Sequence, residues 1–218
     1  MTLFYTLELL GTAIFAASGA YTGTQKGMDI VGVLFLAVIV GNGGGTLRDL
    51  LLQDGSVYWI TQHEYLWISF AAALLGLIYF RFFETPYRLF LVADALGLGV
   101  FTVVGAGKAL QTGHGALIAI MMGMLTCTGG SILRDLICNE VPLLLRKEIY
   151  ATAALVGAIV FIISKNYLPI NLAIVSAVVL TFIFRVAAIY FNWQIPAFTE
   201  HWFFETRAHL KKSKGEQP

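Results

Sequence analysis

Apolar residues in this chain come in long, nearly unbroken runs rather than at the period of a surface helix or a half-buried strand. Seven such stretches stand out, at about 3–22, 29–52, 65–83, 88–107, 114–138, 148–165 and 168–190. A hydrocarbon layer about 30 Å thick takes roughly 20 apolar residues of helix to cross, so each run predicts a membrane span. Turn-forming clusters separate them: Thr24-Gln25-Lys26-Gly27, Gln53-Asp54-Gly55-Ser56, Glu84-Thr85-Pro86, Gln111-Thr112-Gly113 and Lys165-Asn166. The alternation that marks a membrane barrel strand does not occur in the sequence. A helical bundle is then the remaining way to satisfy every backbone group in lipid.

Composition agrees with that pattern. The 218 residues are 58% hydrophobic and 12% charged, with a mean hydropathy of +0.77, where a soluble domain carries roughly 25% charged residues. The N-terminus lacks a basic region and has Glu8 inside its apolar run, which reads as a first span rather than a cleaved leader. Lys108 and Lys165 fall on one side of the predicted membrane. Lys26, Arg81, Arg88, Arg146, Lys147, Arg207, Lys211, Lys212 and Lys214 fall on the other. The positive-inside rule places the N-terminus outside and the tail, 193–218, in the cytoplasm. A net charge of +1 and the lack of a basic stripe argue against nucleic-acid binding. Cys127 and Cys138 have no CxxC spacing and are expected as core residues.

Sliding the chain by 86 positions exposes an internal repeat. GNGGGTLRDL at 41–50 meets TGGSILRDL at 128–136, and fifteen identities fall between residues 3 and 53 and their counterparts. They include Gly11/Gly97, Gly19/Gly105, Gln25/Gln111, Gly27/Gly113, Arg48/Arg134 and Asp49/Asp135, and Glu8/Asp94 adds an acidic match. Similarity between two unrelated apolar helices would favour leucine and alanine, not glutamine, arginine and aspartate in register. The predicted organisation is a first three-helix unit at 1–84, a second at 85–166, a seventh helix at 167–192 and the tail. Three spans per unit is an odd number, so the second unit must be inverted relative to the first. Inverted repeats are a transport architecture, with the working site where the two units meet.

The glycine segments are candidate breaks. Each glycine weakens a helix by about 1 kcal/mol relative to alanine, and freed carbonyls at Gly43, Gly44 and Gly45 or at Gly129, Gly130 and Ser131 would suit a cation path. The competing reading is close helix packing. Arg48 and Arg134 need partners, because charges inside spans face a cavity or pair with each other. Neighbours at i and i+1 point about 100° apart, so partners are expected on other helices, with Glu8, Asp94, Asp49 and Asp135 as candidates. Neither a phosphate loop nor a dinucleotide fingerprint fits GNGGGTLRD. His63 and His114 fall in loops and His201 and His209 in the tail, so no nucleophile–base pair emerges and no enzyme activity is expected. An aspartate pair, Asp94 with Asp135, lacks any motif for intramembrane proteolysis.

The duplicated glycine–RD motif, together with CNEVPLLLRKEIYATAALVGA at 138–158, resembles the prokaryotic branch of the trimeric intracellular cation channel family over about residues 3–190. Some of its members are described as glycine transporters. The resemblance implies a homotrimer in a prokaryotic inner membrane. Each subunit would hold an hourglass pore for monovalent cations, chiefly potassium, without a cofactor, and its second and fifth spans would be kinked at Gly43–Gly45 and at Gly129 and Gly130. Ser131 departs from the triple glycine, and its hydroxyl is expected to face the path. No KEV motif stands in span two, so the phosphoinositide gating of animal members does not carry over. A secondary transporter of a small amino acid such as glycine is the alternative.

Overall fold

The computed structural model describes residues 2–53, 55–83, 85–146 and 149–194. Its elements are all helical: α1 (Thr2–Gln25), α2 (Ile30–Leu52), α3 (Tyr58–Thr61), α4 (Glu64–Phe82), α5 (Tyr87–Gln111), α6 (Ala116–Ile137), the 3-10 turn η1 (Leu143–Leu145), α7 (Ala151–Ser164) and α8 (Ile170–Tyr190). Six of them, α1, α2, α4, α5, α6 and α8, are long and apolar enough to cross a bilayer. The run at 148–165 departs from expectation. Its helix, α7, begins at Ala151 and ends at Ser164, 14 residues or about 21 Å of rise. Residues 195–218, and with them most of the expected cytoplasmic tail, lie outside the described residues.

Helix ends follow the repeat. After α1, Gly27 N–H reaches Thr24 O at 3.1 Å and Met28 N–H reaches Gly23 O at 3.1 Å. After α5, Gly113 N–H reaches Leu110 O at 3.1 Å and His114 N–H reaches Ala109 O at 3.0 Å. Both glycines have positive φ, +69° and +84°, the left-handed stop that glycine adopts without Cβ cost. The ends of α2 and α6 match too, with Gln53 at φ 52° and its counterpart Asn139 at 54°. Asp29 starts α2 by accepting from Gly32 N–H at 2.7 Å, satisfying one of the orphan donors of a first turn.

α5 is the central helix, with 78% of its apolar window buried against 22% for α4 at the edge. It packs on α1, α6, α7 and α8. The seventh span, α8, lies against α5 and α7. Cys127 and Cys138 are buried and free, as expected of core residues.

Candidate functional site

The glycine segments do not break their helices. α2 is helical without interruption through Gly43–Gly45, and α6 through Gly129–Ser131, so the carbonyls expected to be freed stay within helical turns. What the glycines permit is contact. A Cβ on Gly44 would stand 1.9 Å from Thr126 O, and one on Gly130 would stand 2.2 Å from Val40 O. These approaches run in opposite senses along the two helices, so α2 and α6 cross antiparallel, backbone against backbone, near their midpoints. Gly43 fits against Leu133 and Gly129 against Gly44 and Leu47 in the same crossing. None of these glycines lines either cavity described below.

On either side of the crossing sits one arginine, the two separated by about 18 Å of helical rise. Arg48 donates from Nη1 to Glu8 Oε1 at 2.8 Å and from Nε to Asp49 Oδ1 at 2.7 Å. Arg134 repeats this, from Nη1 to Asp94 Oδ1 at 2.8 Å and from Nε to Asp135 Oδ1 at 2.8 Å. The structure thus brings together all six charges singled out in the sequence, as two clusters of one guanidinium and two carboxylates. One detail differs from expectation. The adjacent aspartate is itself a partner, because the Nε edge of the long arginine side chain curls back onto the next residue. A planar guanidinium with five donors accepts two carboxylates on separate edges. Asp94 and Asp135 are therefore bound to the same arginine.

The second oxygen of each aspartate has a further task. Asp49 Oδ2 accepts from Tyr58 N–H at 3.0 Å, and Asp135 Oδ2 accepts from Leu143 N–H at 2.9 Å. α3 and η1, neither of which the hydropathy pattern revealed, are thereby tied down over the arginines. Each RD pair binds its neighbouring helix through arginine and its following loop through aspartate.

Two cavities open from these clusters at opposite ends of the bundle. One, about 350 Å³, is lined by Phe4, Glu8, Arg48, Asp49, Tyr58, Val104, Lys108 and Gln111, among others. The second, about 420 Å³, is lined by Gln25, Lys26, Phe90, Arg134, Asp135, Glu140 and Arg146, among others. The linings exchange under the 86-residue shift: Phe4 with Phe90, Gln111 with Gln25, Arg48 with Arg134, Asp49 with Asp135. Departures are local. Arg134 Nη1 also donates to Ser18 Oγ at 2.5 Å, where the first copy has Val104. Across the mouth of the second cavity, Lys26 Nζ meets Glu140 Oε1 at 2.5 Å, and Arg146 Nη2 meets Glu140 Oε2 at 3.4 Å. The Lys26 hydrogen bond, and then its charge, hold the exposed Glu140 carboxyl below its ordinary value.

Several functional neighbours escaped the sequence reading. Tyr58 donates to Asn42 Oδ1 at 3.0 Å, and Tyr65 donates to Glu8 Oε2 at 3.2 Å. Ser131, expected to face a path, is buried; it donates to Thr128 O at 2.9 Å and receives the Tyr150 hydroxyl at 3.1 Å. A third buried arginine, Arg185 on α8, is 2% exposed and lies over the Tyr150 ring at 5.1 Å. A lone basic residue in an otherwise apolar span was the available signal for it.

The family model described as glycine transporter matches residues 5–81 and again 91–166, two matches set apart by the same 86-residue spacing. The UPF0126 inner membrane protein YadS of Escherichia coli K12 is 39% identical over 202 residues, 90% of this chain and 96% of that protein. The TRIC trimeric intracellular cation channel orthologue of Rhodobacter sphaeroides superposes with a TM-score of 0.84 at 39% identity, covering 88% of this chain and 100% of that one. The chain belongs to the prokaryotic TRIC family. A further TRIC relative, a prokaryotic TRIC channel solved in 0.5 M KCl, gives a TM-score of 0.83 at 30% identity over 89% of this chain and 99% of its own. Membership in the TRIC family fits an all-helical, multi-pass membrane protein whose solved neighbours are channels rather than enzymes.

Proposed function

We propose that this protein is a potassium-permeable cation channel with one pore in each subunit of a homotrimer, its N-terminus outside and its C-terminus in the cytoplasm. The observation that carries the reading is the pair of charge-lined cavities, one at each end of the bundle, with the α2–α6 crossing between them. Two funnels facing each other across that crossing suit an hourglass path. Charge favours a cation. Each neck cluster sets two carboxylates against one guanidinium, so by formal charge it is negative despite the arginine. That count removes the barrier an unbalanced arginine would raise to a permeating cation. The two halves act as inverted repeats, with one arginine cluster serving each.

The test is purified protein in planar bilayers under a potassium chloride gradient. Unitary currents reversing near the potassium potential are expected, with Arg48→Ala and Arg134→Ala each changing the conductance or open probability of the channels that fold. A second reading rests on the description that the matching family model carries, a glycine transporter. In it the two cavities would open in alternation around a central site. Absence of unitary events, together with saturable glycine uptake into liposomes, selects it.

A further inference from the structure

The two copies treat one pair of positions differently, and the difference runs through a helix that only one copy possesses. Gly45 and Ser131 are repeat counterparts. At Gly45 no side chain fits, because a Cβ would stand 2.5 Å from Cε1 of Tyr58. Tyr58 lies over that glycine, and its ring is 5.5 Å from the guanidinium of Arg48. The tyrosine and the neck arginine of the first copy therefore form one packed unit. At Ser131 the approach is made by a hydroxyl instead, Tyr150 Oη to Ser131 Oγ at 3.1 Å. The guanidinium over Tyr150 is Arg185, at 5.1 Å, while Arg134 stacks on Phe90 at 4.9 Å.

All three members of the second arrangement are out of solvent, with Arg185 at 2%, Tyr150 at 0% and Ser131 at 1% exposed. A guanidinium over an aromatic face is held by the ring quadrupole, more strongly once both are desolvated. It also fixes the plane in which the tyrosine hydroxyl points. Ser131 in turn donates to Thr128 O at 2.9 Å, on the turn of α6 that bears Gly129 and Gly130.

We infer that Arg185 is a positioning residue for the gate on the Arg134 side, acting through Tyr150 and Ser131 on the glycine turn of α6. It makes the two gates of the pore mechanically unlike. In the first gate, Arg48 cannot leave the neck without abandoning its tyrosine. In the second, α8 holds the tyrosine, and Arg134 rests on the Phe90 ring instead. The seventh helix, which lies outside the repeat, thus supplies a working part rather than only a flank. This inference rests on the channel reading above.

Single-channel recording of wild type, Arg185→Gln, Arg185→Lys, Tyr150→Phe and the double variant Arg185→Gln/Tyr150→Phe tests it, with Tyr58→Phe as the reference for the other gate. Arg185→Gln and Tyr150→Phe are each expected to shift open probability severalfold. The double variant should do no more than either alone, because both cut one chain of contacts. Arg185→Lys should recover most of wild-type gating, since an ammonium also rests on the ring. Tyr58→Phe combined with Arg185→Gln should multiply the separate effects. Wild-type gating in Arg185→Gln, or multiplying effects in the Arg185/Tyr150 double variant, overturns the inference. Should Arg185→Gln not accumulate in the membrane, Tyr150→Phe alone decides, for it removes one hydroxyl and keeps the ring. A wild-type protein that passes no current sinks the channel reading instead. The Arg185–Tyr150 coupling is then read as non-additivity in thermal unfolding, where additive effects refute it.

Discussion

Gly44 and Gly130 answer for the distance between the two halves. Their missing side chains let a carbonyl oxygen of the opposite helix occupy the space where Cβ would be, at 1.9 and 2.2 Å. Backbone cannot swing aside as a side chain can, so Gly44→Ala or Gly130→Ala must push α2 and α6 apart. A cost of at least about 1–3 kcal/mol follows for overpacking of this kind. Thermal unfolding in detergent should show a clear drop in Tm for both, while Gly115→Ala, with nothing within 4 Å, should leave Tm unchanged. The acidic partners of the arginines separate by burial in the same way. Asp94 is 1% exposed and Glu8 15%, and breaking a fully buried ion pair from one side costs about 3–5 kcal/mol. Asp94→Asn should therefore lower Tm more than Glu8→Gln; equal losses would mean that burial is not what makes the second cluster expensive to break.

The loops between helices close over the site, and they were the least legible part of the sequence. Positions of α1, α2, α4, α5, α6 and α8 were legible because lipid demands long apolar runs and tolerates few exceptions. The RD pairs were legible because a charge inside such a run needs a reason. α3 and η1 were not, because each is anchored through a backbone N–H on an aspartate oxygen, a contact with no compositional trace. The glycines read two ways for a related reason. A helix break and a helix crossing ask for the same residue, and only the neighbour's carbonyl tells them apart. Among the loop contacts, the Lys26–Glu140 bridge ties the α1–α2 turn to the segment after α6 and is open to solvent. Its carboxyl is held below the ordinary value, so its contribution is present above the unfolded carboxylate range and is lost as pH falls through the lowered value. Tm measured against pH should show a small acid loss in wild type that Glu140→Gln abolishes, and high salt should blunt it.

Across the whole molecule, each unit of the repeat contributes one arginine, one cavity and one face of the crossing, and α8 is the element without a counterpart. The two units are joined covalently only through residues 83–86, between α4 and α5. A chain opened there and expressed as two fragments, with α8 on the second, should reassemble in the membrane, as judged by co-purification through a tag on one fragment. Failure to co-purify would show that the link does more than connect. The α2–α6 crossing is also, in outline, a self-complementary patch: Gly44 meets the region of Thr126 while Gly130 meets the region of Val40, each the other's reflection under a two-fold axis. Such isologous contacts are how two identical chains close into a dimer without growing further. A single three-helix unit able to insert in both orientations would build this crossing by itself. The fused chain then differs from that dimer in one respect: once the halves are unequal partners, one of them is free to acquire an arginine from a seventh helix and lose a glycine to serine, and symmetry no longer obliges the other to follow.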